Sequence, residues 1–241
     1  MTILLTGGSG RLGLELQELI KDIIAPTSDE LDIKNPVSIE NNIKLYQPDI
    51  IVHAAAYTDV SGAETKKEEC WQVNVEGTRN MARAAQKHAI PLLYISTDYV
   101  FYGDIGNYQE DDPLGPVRNY YSLSKLVAEE IVKTLDDYLV IRTSFRPREW
   151  AYPKAFYDLY TSQDYVDIIA PEIALAIRNY DKINHNIIHI VKERKSAYEL
   201  AKRRKKDVVK ASKKDLKVGL PDDISLNSQR WQSLRKELDG I

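Results

Sequence analysis

The chain has 241 residues, 29% of them charged, and a formal net charge of −3. This length suits one large α/β domain, alone or with a small lobe, and allows a sizeable core. The charge balance argues against a nucleic-acid partner. The single cysteine, Cys70, excludes a disulfide framework and a thiolate metal cluster. No apolar run approaches the roughly 20 residues that span a membrane, so we expect a soluble, cytoplasmic protein with no membrane partner.

Residues 1–13 predict a strand, a tight turn and a helix. An apolar run over 3–5 is followed by Gly7, Gly10 and Gly13, and leucines then recur at the spacing of one helix face. Glycines at this spacing allow a sharp turn, a close approach to a pyrophosphate and contact between strand and helix. The helix N-terminus adds free N–H groups for the phosphates. We predict a dinucleotide site here, although the motif alone leaves open a glycine turn without a ligand.

The second strand, predicted over 22–25, bears on the choice of cofactor. It is followed by Thr27 and Ser28, where NAD-binding proteins usually place an acidic residue on the ribose 2′-hydroxyl. These two hydroxyls, with Arg11 in the glycine turn, are better suited to a 2′-phosphate and favour NADP. Two acidic residues follow directly and weaken the inference, so NAD is the alternative.

Strands and helices alternate from here on, as a parallel sheet with crossover helices requires. A third strand, centred on 50–52, runs into three alanines at 54–56. Small residues there let a cofactor pass close to the backbone, or simply pack the strand end. A helix is predicted over 66–89 and a fourth strand over 91–95.

The fourth strand leads to Thr97, and further on Tyr121 and Lys125 are four residues apart on one face of a predicted helix. A free tyrosine has a pKa of about 10, and a nearby ammonium can lower that pKa by roughly 1 to 3 units. Tyr121 would then act as an acid or base while the Thr97 hydroxyl polarises a carbonyl. Tyr-x-x-x-Lys strings are common by chance. This one follows a predicted dinucleotide-binding turn and a threonine at a strand end, and that order makes it specific.

A series of motifs, in order along the chain, resembles those of a known family. The motifs occupy residues 6–13, 31–33, 52–60, 74–78, 96–101, 121–129 and 142–144. They resemble the extended short-chain dehydrogenases/reductases, and within them the dTDP-4-dehydrorhamnose reductases. The resemblance implies an α/β fold, a Rossmann-type doubly wound parallel sheet with a small C-terminal substrate lobe. It also implies reduction of a nucleotide-linked 4-keto-6-deoxy sugar, with hydride from NADP(H), or NAD(H), and a proton from Tyr121.

The resemblance also implies roles for single residues. Thr97, Tyr121 and Lys125 would be catalytic, and Tyr99 would lie near the sugar. Together with the glycine turn, the predicted cofactor contacts are Gly7, Gly10, Arg11, Leu12, Gly13, Thr27, Ser28, Asp32, Ile33, Ala54, Ala55, Ala56, Tyr121 and Lys125. Some bacterial relatives hold a divalent ion at a dimer interface through a glutamate at the place of Glu15. No partner ligands for Glu15 are evident, so we predict no metal and leave a homodimer open.

The chain departs from the family after Ser144, where the substrate region is much shorter. We expect residues 1–145 to form the dinucleotide-binding domain with the catalytic helix. Residues 146–241 would form a trimmed substrate lobe plus returning sheet and helix elements, with a strand over 165–169 and a helix from Pro171. Arg146 and Trp150 are candidate substrate contacts, or else part of a packed loop.

Two functions are consistent with these features. The first is the NADP-dependent reductase. The second is a non-catalytic NADP-binding subunit resembling the regulatory subunit of methionine adenosyltransferase, which the shortened substrate region favours and the intact Thr97, Tyr121 and Lys125 oppose. Nucleotide-sugar 4,6-dehydratases have the sequence Thr-Asp-Glu at the place where this chain has Thr97, Asp98 and Tyr99. The tyrosine in place of the glutamate favours reduction over dehydration.

Overall fold

In the computed structural model, which describes residues 1–215 and 220–239, six parallel strands form the central sheet. They are β1 Ile3–Thr6, β2 Ile23–Ile24, β3 Ile50–His53, β4 Leu92–Thr97, β5 Tyr138–Thr143 and, later in the chain, β10 Ile187–Ile190. Side by side they lie in the order β2-β1-β3-β4-β5-β10. The chain therefore leaves β1 to one side and returns on the other, which creates a crevice beyond the carboxyl ends of β1 and β3.

Helices cover both faces of this sheet. They are α1 Arg11–Leu19, α2 Pro36–Tyr46, α3 Lys67–Trp71, α4 Thr78–His88, α5 Tyr120–Val132, α6 Val166–Arg178, α7 Ala197–Lys202 and α8 Gln229–Asp239. Leu16, Ile173 and Trp231 bring α1, α6 and α8 onto one face. Met81 and Val132 help bring α4 and α5 onto the other, together with α2. The predicted doubly wound parallel α/β fold is confirmed.

The helix predicted over 66–89 consists of α3 and α4 joined by a π-helical turn, Gln72–Gly77. Buried Asn74 in this turn accepts a hydrogen bond from the Tyr57 N–H at 2.7 Å and donates to the Tyr57 carbonyl at 3.1 Å. It also donates to the Ser124 hydroxyl at 2.8 Å. Such turns often occur at functional sites. Here the turn ties the segment after β3 to α5.

Residues from 145 onward contribute to two regions. A small lobe contains three strand pairs and α7 over a core that includes Leu159 and Leu200. Its strands are β6 Phe145–Arg146, β7 Lys154–Phe156, β8 Tyr160–Thr161, β9 Asp164–Tyr165, β11 Lys195–Ser196 and β12 Val209–Ala211. By contrast, α6, β10 and α8 return to the main sheet. Positions 216–219 and 240–241 of the predicted second region lie outside the described residues.

The strand predicted over 165–169 is wrong. Only Asp164–Tyr165 are extended, and α6 begins at Val166, so Pro171 lies inside the helix rather than in its first turn. The run of β-branched residues favours a strand, but Val166, Ile169 and Ile173 are buried at helical spacing. Packing of this face against α1 and the sheet outweighs the missing proline N–H.

A buried ion pair fixes α5 against the sheet. Arg142 on β5 and Glu129 on α5 are 1% and 0% exposed, and their side chains form hydrogen bonds at 2.7 and 3.1 Å. The Ser96 hydroxyl donates to the other Glu129 oxygen at 2.6 Å. The guanidinium also donates to the Glu110 carbonyl at 3.0 Å. This network anchors the helix that carries Tyr121 and Lys125.

Substitution Glu129→Gln should lower the free energy of unfolding by about 3–5 kcal/mol, because it leaves the buried Arg142 charge uncompensated. The neighbouring variant Glu130→Gln removes only a surface contact with Lys133 and should cost about 1 kcal/mol or less. Urea unfolding of both variants measures the difference. Equal midpoints would show that the buried pair does not hold the helix.

Candidate active site

A cleft of about 750 Å³ runs along the carboxyl ends of the central strands. Most of the predicted site residues line it, namely Gly7, Gly10, Arg11, Leu12, Gly13, Ser28, Asp32, Ile33, Ala54, Ala55, Ala56, Thr97, Tyr99, Tyr121 and Lys125. Thr27, Arg146 and Trp150 do not line it. The fold thus brings residues from distant parts of the chain to one surface.

The glycine turn between β1 and α1 forms one wall of this cleft. Gly7 has a φ of +78°, and its carbonyl accepts a hydrogen bond from the Gly10 N–H at 3.0 Å. A Cβ on Gly13 would lie 2.3 Å from the Gly7 carbonyl oxygen, so only glycine allows the helix to pack here. The first turn of α1 carries no acidic residue, and its free N–H groups favour an anion. These features fit a pyrophosphate.

Three side chains fix the ends of β1 and β3 beside this turn. The Thr6 hydroxyl lies 2.7 Å from His53 Nδ1 and accepts a hydrogen bond from the Ala55 N–H at 3.3 Å. His53 Nε2 lies 3.0 Å from the Thr78 hydroxyl. Burial lowers the pKa of His53 to about 3, so the ring is neutral and structural. It holds the alanine segment against the glycine turn.

The end of the cleft near β2 carries two cations. Arg11 and Lys34 line it with Ser28, and neither cation forms an ion pair within residues 1–215 and 220–239. The predicted contact Thr27 lies outside the lining, because its hydroxyl and N–H both donate to the Glu30 carboxylate, at 3.0 and 2.8 Å. The groups that can bind an anion here are therefore Arg11, Lys34 and Ser28, without the Thr27 hydroxyl.

At the other end of the cleft, Tyr121 and Thr97 line the wall together, and Thr97 is close enough to oppose in part the rise in the Tyr121 pKa that burial causes. The Thr97 hydroxyl donates to the Asp98 carboxylate at 3.1 Å and accepts from the Tyr99 N–H at 3.2 Å. The Lys125 ammonium donates to the Ile95 carbonyl at 2.9 Å. Four polar side chains therefore meet where β4 ends.

The expectation that Lys125 lowers the pKa of Tyr121 is wrong for this structure. Burial raises the pKa of Tyr121, and the neighbouring Asp98 charge raises it further. Burial also lowers the pKa of Lys125 to about 7, although Glu129 opposes the shift. Both changes favour the neutral form, as removal from water requires. Tyr121 is therefore a protonated hydroxyl at neutral pH, which suits a proton donor.

The predicted substrate contacts occupy different places. Tyr99 lines the cleft edge-on to the Tyr121 ring, with centroids 6.1 Å apart. The Arg146 guanidinium lies 4.6 Å from the ring centre of Trp150, which is 7% exposed and belongs to the lobe core with Leu159. Trp150 therefore cannot stack on a ligand in the cleft. Arg146 Nε is buried and has no hydrogen-bond partner among the described residues.

The cleft also contains residues that the sequence analysis did not single out, such as Lys34, Thr58, Ser144 and Phe145. The last two directly follow β5, which pairs with β4. Since parallel strands end at the same edge of a sheet, the apolar run at 139–141 shortly before them was the available signal.

Glu15, at the place of a metal-binding glutamate in some relatives, has another partner here. Its carboxylate accepts two hydrogen bonds from Arg148, at 2.6 and 2.8 Å. No group of three metal-ligating side chains occurs within residues 1–215 and 220–239. No helix in the same residues is long and apolar enough to cross a membrane.

Comparisons with known proteins agree with this geometry. The family model described as RmlD substrate binding domain matches residues 1–209. A dTDP-4-dehydrorhamnose reductase from Aggregatibacter actinomycetemcomitans is 34% identical over 71% of this chain. The match spans 61% of that reductase's own length, and about half of other curated relatives.

Solved structures of similar proteins match over nearly the whole chain. One, a hypothetical dTDP-4-dehydrorhamnose reductase from Sulfolobus tokodaii, is 32% identical with a TM-score of 0.84, covering 97% of this chain and 94% of its own. A dTDP-4-dehydrorhamnose reductase from Bacillus anthracis in complex with NADP is 25% identical with a TM-score of 0.83. That match covers 100% of this chain and 98% of the other.

The buried Lys125 ammonium should make stability depend on pH. Folded Lys125 has a pKa of about 7, while an unfolded lysine has one of about 10.4. Between these values the unfolded state binds more protons, so stability rises with pH. Lys125→Met should therefore gain stability relative to wild type at about pH 6, by a few kcal/mol more than at about pH 10.

Urea unfolding at both pH values measures this difference. The control is Lys44→Met, an exposed lysine on α2, which should show no such change. A constant difference between Lys125→Met and wild type would contradict the lowered pKa.

Proposed function

Because the chain belongs to the RmlD substrate binding domain family, we propose that it is an NADPH-dependent reductase of a nucleotide-linked 4-keto-6-deoxy sugar. One observation carries the proposal: Thr97, Tyr121 and Lys125 line the same cleft as the glycine turn. The names of the relatives, dTDP-4-dehydrorhamnose reductases, supply the substrate class.

The proposed reaction adds hydride and a proton across the carbonyl. A reduced nicotinamide held along the cleft wall would supply the hydride for the carbonyl carbon. The Thr97 and Tyr121 hydroxyls bind the carbonyl oxygen, and Tyr121 gives it a proton. The raised pKa of Tyr121 keeps that proton in place until charge develops on the oxygen. Lys125, whose ammonium donates to the Ile95 carbonyl at the end of β4, would contact the ribose of the nicotinamide beside Tyr121.

The proposed cofactor site has two parts. The glycine turn, with Gly7, Gly10, Leu12 and Gly13, would hold the pyrophosphate on the N-terminus of α1. Arg11, Lys34 and Ser28 would hold the ribose 2′-phosphate, which favours NADP over NAD. The rest of the cofactor would lie along residues that share the cleft wall, namely Asp32, Ile33, Ala54, Ala55 and Ala56.

The proposed substrate contacts are Tyr99 and Arg146. Burial raises the pKa of Tyr99 to about 12, and the nearby Arg146 charge lowers that pKa in part. We propose that the Arg146 charge, which acts on Tyr99, helps to hold a hydroxyl or phosphate of a sugar placed beside that ring. Trp150 would act through Arg146, whose guanidinium its ring orients by a cation–π contact.

A non-catalytic NADP-binding subunit would use the cofactor end of the cleft only. The joint presence of Thr97, Tyr121 and Lys125 favours the reductase, since a binding protein does not need buried groups whose neutralisation costs stability. The cytoplasmic location stays a prediction, as does the homodimer that the sequence leaves open.

Tyr121→Phe should lose about 100-fold or more in kcat, since it removes the proton donor, while NADPH still binds. The matched control is Tyr120→Phe at the first residue of α5, which should keep its activity. Absorbance of NADPH, with a dTDP-4-keto-6-deoxy sugar as substrate, measures turnover. Full activity of Tyr121→Phe would rule out this mechanism, and a flat trace for wild type across a panel of keto-sugars would favour the binding-protein function.

Arg11→Ala should raise KM for NADPH by about 10-fold or more, because a charged contact to the 2′-phosphate contributes roughly 1.5–3 kcal/mol. KM for NADH should stay within about twofold, since NADH lacks this phosphate. Lys44→Ala, exposed on α2, is the control. Equal loss with both cofactors would place the 2′-phosphate elsewhere.

A further inference from the structure

Tyr121 is the second residue of α5, so its position depends on how the first turn of that helix is held. The first four N–H groups of a helix have no partner within the helix, and helix ends fray. In α5, Asn119 at the N-cap accepts the Ser122 N–H at 2.8 Å. The Glu64 carboxylate accepts the Tyr120 N–H at 2.7 Å. The residues on either side of Tyr121 are thus both bound through their N–H groups.

Glu64 comes from a distant part of the chain, the β3–α3 segment at residues 57–65. It ends a 3-10 turn in that segment, whose first residue, Gly62, donates its N–H to the Asp59 carboxylate at 2.9 Å. The Glu64 carboxylate forms no ion pair within residues 1–215 and 220–239. Negative charge is favourable at a helix N-terminus, so the start of α5 is the positive partner of this carboxylate.

The β3–α3 segment borders both the proposed cofactor site and Tyr121. It begins directly after the three alanines at 54–56, and its residues Thr58 and Val60 line the cleft with them. Ala63, which is 0% exposed, belongs to the small buried cluster that contains Tyr121. One short segment therefore forms part of the cleft wall, packs near the Tyr121 side chain and caps the helix that carries it.

Hydrogen bonds attach the β3–α3 segment to α5 near both of its ends. At its start, Asn74 holds the Tyr57 backbone through two hydrogen bonds and donates to the Ser124 hydroxyl on α5 at 2.8 Å. Near its end, Glu64 is bonded directly to the α5 backbone. The segment and the first turn of α5 are thus held as one unit, in which Glu64 makes the link nearest to Tyr121.

We propose that Glu64 is a positioning residue, which holds the first turn of α5 so that the Tyr121 hydroxyl faces the substrate carbonyl. The inference rests on the proposed reductase function. Glu64 does not line the cleft, so it acts through the Tyr120 N–H. Without this bond the first turn of α5 frays, and Tyr121 keeps its hydroxyl but loses its alignment. Misplacement of a reacting group by about 1 Å can lower a rate by about 100-fold.

Glu64→Ala should lower kcat by about 5-fold or more, the factor by which a lost capping bond shifts the order of a helix turn. The Kd for NADPH, measured by its fluorescence, should stay within about twofold, because no cleft residue is changed. Glu64→Gln should restore most of the rate, since its amide oxygen can still accept the Tyr120 N–H. The control is Glu69→Ala, which removes only a surface ion pair with Lys66 at 3.5 Å and should match wild type.

A double-mutant cycle separates positioning from a general loss of stability. If Glu64 acts through Tyr121, Glu64→Ala should change the residual rate of Tyr121→Phe by less than about twofold, because no proton donor is left to place. An equal loss in both backgrounds would overturn the proposal. A wild-type rate in Glu64→Ala, or a Glu64→Gln variant as slow as Glu64→Ala, would overturn it too.

Amide hydrogen exchange, followed by NMR, separates this inference from the proposed function. The Tyr120 N–H should exchange about 5-fold or more faster in Glu64→Ala than in wild type, and about as slowly as wild type in Glu64→Gln. If wild type reduces no keto-sugar, the proposed function fails, and the exchange rates alone decide whether Glu64 holds the turn. Equal exchange in wild type and Glu64→Ala would overturn the Glu64 proposal even when the enzyme is active.

Discussion

The close packing of α1 on the glycine turn is the constraint on which the rest of the site depends. A Cβ on Gly13 would meet the Gly7 carbonyl oxygen at 2.3 Å, and one on Gly7 would meet the Ala55 nitrogen at 2.7 Å. With backbone against backbone, the ends of β1 and β3 and the start of α1 form one surface. That surface sets the depth of the cleft and aims the helix N-terminus into it, so the position of any bound dinucleotide follows from it.

Burial of polar groups is the second factor that determines the properties of the site. Removal from water raises the pKa of Tyr121 and of Asp98 and lowers that of Lys125, so all three move toward their neutral forms. Such groups cost stability, and the surrounding structure has to hold them. The buried pair of Arg142 and Glu129 fixes α5 one turn beyond Lys125. The packing that stabilises the fold thus also sets the proton affinities that the proposed chemistry uses.

The sequence predicted those features that are local or periodic. The glycine spacing, the alternation of strands and helices and the four-residue separation of Tyr121 and Lys125 all have such local causes. Features that depend on tertiary contacts escaped it. The early start of α6 follows from packing of Val166 and Ile169. The Trp150 side chain lies in the core of the lobe. Burial governs the pKa of Tyr121, rather than the neighbouring lysine.

Transfer of deuterium from labelled cofactor to sugar is the most direct measurement of the central claim, that hydride passes within this cleft to a carbonyl held by Thr97 and Tyr121. The purified protein would be incubated with NADPH carrying deuterium at the transferring carbon and with a dTDP-4-keto-6-deoxy sugar. We predict consumption of NADPH and a product with one deuterium at C4 of the sugar, seen by NMR and mass spectrometry. Unconsumed NADPH, or a product without deuterium at C4, would contradict the account.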